Sequence, residues 1–190
     1  MRRILFVFCF FLFAGVLLPK AAGAATISIL PSSGVFSVES TLTVSVYLDT
    51  EGESVNAFEV TLRFPPDKLQ VVSPSTGSSI VGVWTTQPKY DNTRGFIELR
   101  GGIPGGITAS EALIAGFVFR AKSVGIATIK SEGQPRVLLN DGLATDVLRD
   151  TKAAVLELRL PPPLGPIVTS ETHPDENKWY PEDDVVLRWS

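Results

Sequence analysis

Carboxylates are the only abundant groups in this sequence able to move protons: Asp and Glu total 20, against one His and one Cys. Two pairs, Glu98 with Glu111 or Asp141 with Asp146, could be proposed as the acid and base of a glycosidase. Each of these acids falls in a turn or on an alternating strand, and no insertion forms a cleft around them, so they read as surface acids and no catalytic residue is assigned. Asn140, Asp141, Gly142 and Asp146 could offer oxygen ligands to calcium. An Asp-Gly hairpin turn accounts for the same residues more cheaply, so neither a metal nor a cofactor is expected. Cys9 and His173 alone cannot assemble a zinc site of Cys and His ligands or a thiol–imidazole dyad. Gly105 and Gly106 are followed by no Lys and no helix, which makes them turn glycines rather than a phosphate loop. Lys and Arg total 17, so the chain lacks the positive excess that phosphate neutralisation requires, and nucleic acid is not an expected partner. The aromatic pairs Trp84 with Tyr90 and Trp179 with Tyr180 could stack on sugar rings or simply pack. Trp84 and Tyr90 lie in a long segment between Val83 and Phe96 that reads as a loop, the best place in the body for a sugar contact. His173, before Pro174, reads as a solvated turn residue.

The elements that must position these side chains begin after an address label. Arg2 and Arg3 precede an apolar run from Ile4 to Leu18, and Ala22, Gly23 and Ala24 supply small residues for a peptidase. This is the pattern of a secretory signal peptide, residues 1–24, and the run is shorter than the roughly 20 residues of a membrane span. Three positive charges and the only Cys leave with it, so the −3 of the whole chain becomes −6. A thiol-free protein exported to an oxidising space must then be held together by its core.

From Thr26 to Leu160, apolar residues recur at every second position in short bursts separated by Gly, Pro, Asn, Asp and Ser. This is the signature of an all-β, antiparallel sandwich. Leu42, Val44, Val46 and Leu48 alternate with Thr41, Thr43, Ser45 and Tyr47, and Phe58, Val60, Leu62 and Phe64 alternate with Glu59, Thr61 and Arg63. The second strand stops at Pro65 and Pro66, which cannot donate to a ladder. Further strands are expected at residues 96–100, 113–121, 126–130, 136–139 and 154–160, with turns at Gly101–Gly102 and Gly105–Gly106. Single helical turns are expected at 67–69 and 110–113.

The stretch from Val55 to Val72, with an apolar-alternating strand ending in Phe64, then Pro66 and Leu69, resembles a cohesin domain, the receptor module of cellulosomes and related cell-surface systems. Residues 95–102, 113–129 (with Phe117, Phe119, Ala121, Gly125 and Ile129), 137–141 and 154–158 are similar to later strands of that family. The resemblance spans about 135 residues. It implies a nine-stranded jelly roll over residues 25–160 that binds rather than catalyses and docks dockerin modules through one sheet face. Glu59, Thr61 and Arg63 match a stretch contributing to that face, which makes them the candidate partner contacts. Related carbohydrate-binding modules keep polysaccharide as the other ligand class, with Trp84 and Tyr90 as its contacts.

Residues 161–166 are a Pro-rich linker, extended because proline fixes φ. Residues 167–190 hold two strand-like stretches, 167–170 and 185–189, with an acidic patch at Glu182, Asp183 and Asp184. They resemble the opening of an immunoglobulin-like repeat of bacterial surface proteins and are too few to close a core. The expectation is a secreted or cell-surface binding module with a dockerin-like or polysaccharide partner, attached to a membrane only through the export signal or an anchor outside this sequence. A structural or adhesive stalk repeat is the alternative.

Overall fold

The computed structural model describes residues 25–175, 177–181 and 183–190. The proposed signal peptide and Glu182 of the acidic patch lie outside the described residues. Two compact units divide at Leu160 and Pro161, and among the described residues every regular element is a strand.

The first unit is a sandwich of two sheets. The five-stranded sheet runs in the order β10 (Leu148–Lys152), β1 (Ala25–Leu30), β3 (Thr41–Asp49), β8 (Ala112–Ala121) and β5 (Leu69–Ser75). The six-stranded sheet runs β2 (Ser33–Ser37), β11 (Ala154–Arg159), β9 (Gly125–Leu139), β4 (Val55–Arg63), β7 (Phe96–Ile107) and β6 (Val83–Asp91). The period-2 stripes read from the sequence become the inner faces. Leu42, Val44, Val46 and Leu48 of β3 meet Phe58, Val60 and Leu62 of β4 in one core. Phe64 and Phe119 bridge the two layers edge to face, with centroids 5.3 Å apart. Such a pair adds about 0.5–1.5 kcal/mol to the burial of its area.

Two strands change sheets. The chain passes from β1 to β2 across Pro31, whose missing N–H suits a break in a ladder, and from β10 to β11 across Ala153. These strands pair with each other in parallel, β1 with β10 and β2 with β11, while all other pairings in the unit are antiparallel. Counted among the described residues, with each sheet-switching strand as one, the jelly roll has nine strands.

Five local expectations are corrected. The segment from Val83 to Phe96 is not a long loop: residues 83–91 form the edge strand β6, and a tight turn closed by the Gly95 N–H on the Asp91 carbonyl leads into β7. Gly101 and Gly102 lie inside β7; a Cβ at Gly101 would stand 2.5 Å from Val81 Cγ1 and 3.2 Å from the Phe58 ring. Gly105 and Gly106 have φ of 84° and 75° but belong to the same strand. The two strands expected at 126–130 and 136–139 are one strand, β9, with Gly133, Gln134 and Pro135 inserted between the residues that pair with Thr61 and Glu59. Residues 110 and 111 form a bend and Ala112 and Leu113 open β8, in place of the expected helical turn. The turn after Pro66 does form, its Pro65 carbonyl accepting the Lys68 and Leu69 N–H groups.

In the second unit, residues 161–190, β12 (Val168–Ser170) pairs antiparallel with β13 (Leu187–Trp189). Trp179 is 86% exposed, so it packs into no core there. Tyr180 lies against His173, with ring centroids 4.7 Å apart.

Candidate functional site

The outer face of the six-stranded sheet gathers the three partner-contact candidates into an ordered surface. Because β4 alternates strictly, Phe58, Val60 and Leu62 go to the core and Ala57, Glu59, Thr61 and Arg63 face outward. β4 is a central strand, with β9 on one side and β7 on the other, and β7 carries β6. Register then lays the outward residues in four rows across β9, β4, β7 and β6. The rows read Leu138, Ala57, Gly102, Val83; Arg136, Glu59, Arg100, Thr86; Glu132, Thr61, Glu98, Lys89; and Lys130, Arg63, Phe96, Asp91.

The first row is apolar and low, since Ala57 and Gly102 at its centre carry almost no side chain. It borders a shallow depression lined by Ala57, Glu59, Thr85, Arg100, Arg136 and Leu138. The remaining rows are charged, and several of their side chains are paired. Arg100 lies 2.9 Å from Glu59. Arg63 donates through Nε to Glu132 at 2.9 Å and through NH1 to the Arg94 carbonyl at 2.6 Å. Arg136 faces Asp146 at 3.8 Å. All of these side chains are partly exposed, so each pair is worth no more than about 1 kcal/mol in stability. They tie these long side chains to one another across the face.

Arg63 thereby ties the face to the β6–β7 turn. Asp91 Oδ1 accepts the Thr93 and Arg94 N–H groups and its Oδ2 accepts Arg94 Nε. Hydrogen bonds from Arg94, backbone first and then side chain, hold the Asp91 carboxyl below the ordinary carboxylate range. The Arg94 guanidinium in turn lies over Phe96, 4.6 Å from its centroid.

The two sugar-contact candidates separate. Trp84 pairs with Gly101 on the core side of the sheet and meets Phe58 edge to face at 6.1 Å, so its ring is part of the core margin rather than an open platform. Tyr90 is 39% exposed and lines an open depression with Pro88, Lys89, Asp91, Arg94, Phe96 and Glu98.

The carboxylate pairs considered for catalysis are also separated or occupied. Glu98 stands on the outer face of the six-stranded sheet, whereas Glu111 precedes β8 of the other sheet. Asp141 accepts the Thr145 hydroxyl and the Leu143 N–H, which lower its pKa, so it is a poor proton donor near neutrality. Asp146 Oδ1 accepts the Val137 and Leu148 N–H groups and fastens the loop between β9 and β10. The Asp-Gly segment is thus a stapled turn, with Gly142 at φ 74°. Among the described residues no cluster of three or more His, Cys, Asp or Glu could hold a metal ion.

Sequence reading alone overlooked Arg100, Arg136, Glu132, Glu98 and Phe96 as members of this face. Alternation around Ile97 and Leu99 marks Glu98 and Arg100 as outward, but only register shows that they flank Glu59 and Thr61.

No family model matches the chain, and no curated protein matches it. Solved structures do. A chain of a type I cohesin–dockerin complex from Clostridium thermocellum superimposes with a TM-score of 0.61 at 12% identity, covering 73% of this chain and 95% of that one. The seventh ScaB type I cohesin from Pseudobacteroides cellulosolvens gives 0.59 at 13% identity, covering 75% and 96%. A type II cohesin domain from the cellulosome of Acetivibrio cellulolyticus gives 0.54 at 13%, covering 70% and 95%. Two switching strands, nine strands in two sheets and these superpositions agree: the body of this chain, residues 25–160, has the cohesin fold.

Proposed function

We propose that this chain is a secreted or cell-surface, non-catalytic binding module that docks a dockerin-like protein through the outer face of β9, β4, β7 and β6. Glu59, Thr61 and Arg63 are its central contacts. The observation that carries this reading is the four-row surface itself: a face built on a central strand, with an apolar row bordering paired charges. The apolar row forms one side of this face and the charged rows the other, so apolar contact area and polar groups are both offered to a partner. Support also comes from the structural neighbours, several of which were solved as cohesin–dockerin complexes. Export follows from the proposed leader at 1–24, and the Pro-rich linker at 161–166 would join the module to the segment beyond it.

The test is titration calorimetry against a panel of dockerin modules, with the Glu59→Ala, Arg63→Ala double variant alongside. The expected result is binding by the unmodified chain, at least tenfold weaker in the double variant, with a melting temperature lowered by only a few degrees because the lost pairs are exposed. Undiminished binding of every partner by the double variant would remove the sheet face from the proposal. Polysaccharide is a second reading, supported only by exposed Tyr90 and its polar surroundings. Binding on a glycan array that disappears in Tyr90→Ala would favour it.

A further inference from the structure

Among the described residues the two sheets end in four edge strands, and three of them are blocked. On β5, the Asn92 side chain takes the place of a neighbouring strand: its Oδ1 accepts the Val71 N–H at 2.8 Å and its Nδ2 donates to the Val71 carbonyl at 2.9 Å. Pro74 follows on the same strand. β6 carries Pro88, Lys89 and Asp91, and β10 carries Arg149, Asp150 and Lys152. Proline and charge are the usual devices that keep a sheet edge from pairing with another chain.

β2, with the sequence Ser-Gly-Val-Phe-Ser, has none of these. Its register on β11, with Val155 N–H donating to the Ser32 carbonyl and Val38 N–H to the Arg159 carbonyl, points the even-numbered residues at β11. The backbone groups of Ser33, Val35 and Ser37 therefore point away from the sheet. Among these, the Ser37 carbonyl already accepts Ser40.

We propose that this open edge pairs two copies of the chain through antiparallel β2 strands about a two-fold axis at Val35. The edge is self-complementary in that arrangement. Val35 exchanges both hydrogen bonds with Val35 of the second copy, and each Ser37 N–H donates to the other copy's Ser33 carbonyl. A two-fold axis perpendicular to the sheet keeps outer face with outer face. It would set Val35, 57% exposed, beside its twin; behind Val35 the row runs through Glu157 to Ile126, 55% exposed, and Val155, 46% exposed, lies diagonally beside it. Charge does not oppose the approach: β2 carries none, and on β11 Arg159 neutralises Glu157 through two hydrogen bonds. Five residues of edge bury less than the roughly 1,200 Å² of a stable interface, so the dimer is a weak, reversible one.

Sedimentation velocity of the whole chain over a concentration series tests this. The expected result is a monomer–dimer equilibrium that becomes visible between about 0.1 and 2 mM. Val35→Lys and Val35→Glu each place like charges across the axis and weaken dimerisation by about tenfold or more, and an equimolar mixture of the two variants restores it. A chain that stays monomeric to about 2 mM would leave the edge open for an extended segment of some other protein and would overturn self-pairing. So would dimerisation of Val35→Lys at the strength of the unmodified chain, or a mixture that fails to recover.

Discussion

Replacing Gly95 with alanine probes the turn that joins β6 to β7 and so sets the register of half the candidate face. Gly95 has φ 71°, and a Cβ there would stand 2.2 Å from the Phe64 carbonyl oxygen and 2.8 Å from Pro66 Cδ. Gly133 supplies the control. Its φ is 76°, nearly the same, yet a Cβ there meets nothing within 4 Å. A left-handed conformation costs an L-residue about 1–2 kcal/mol, of which about 0.4–1 kcal/mol is recovered through the less flexible unfolded chain. Gly133→Ala should therefore lose about 1 kcal/mol. Gly95→Ala pays the same conformational cost plus an overlap with backbone that cannot swing aside. The Phe64 oxygen belongs to a residue whose N–H is bonded to the Gly95 carbonyl, so relieving the overlap breaks that bond or shifts the Pro65–Pro66 turn. A total of at least about 3 kcal/mol follows when strain and a lost buried hydrogen bond are added. At about 3–5 °C per kcal/mol for a domain of this size, differential scanning calorimetry should show Gly95→Ala melting about 10 °C or more below the unmodified chain and Gly133→Ala about 3–5 °C below. Equal melting temperatures for the two variants would refute the claim that the close approach to Phe64, rather than φ alone, demands glycine at 95.

Other perturbations separate packing from recognition. Trp84→Ala should lower the melting temperature by several degrees, because the ring packs on Phe58, whereas Tyr90→Ala should leave it nearly unchanged; thermal denaturation of the pair checks this. Gly101→Val should destabilise by more than about 2 kcal/mol in urea, since Val81 already occupies the space a side chain would need. Asp141→Ala should be less stable than the unmodified chain at neutral pH. The Asp141 pKa is lowered in the folded state, so its contribution is present above the unfolded-state carboxylate pKa and is lost as pH falls through the lower folded value. The stability difference between the two chains should accordingly close in strongly acidic solution, as read by urea denaturation at a series of pH values.

How much of this was readable beforehand differs between faces and connections. β3 and the stretch from β4 to Phe64 announce themselves, because each carries four apolar residues at strict spacing and each has one dry side. The outward set Glu59, Thr61 and Arg63 followed from that alone. β6 did not, because an edge strand with Pro88, two register shifts and mostly exposed residues has no apolar stripe to reveal it. Gly101 looked like a turn because glycine usually marks one, and its actual reason, the nearness of Val81 and Phe58, depends on residues distant in sequence. The insertion at Gly133, Gln134 and Pro135 likewise hid the continuity of β9, and with it the placement of Glu132 and Arg136 beside Thr61 and Glu59. Local alternation specifies which side of a strand a residue takes, while its neighbours across the ladder depend on register, which these bulges reset.

The parallel pairing of the first and last strands has a mechanical consequence. The chain enters the body at Ala25, beside Leu148, and leaves it past Arg159, beside Ser37, so entry and exit lie at opposite ends of strands that run alongside one another in both sheets. Tension drawn through the two ends would try to slide β1 along β10 and β2 along β11, straining their hydrogen bonds together rather than opening them one after another. A module strung between a surface and a moving load would for that reason resist extension along the very line on which it is attached.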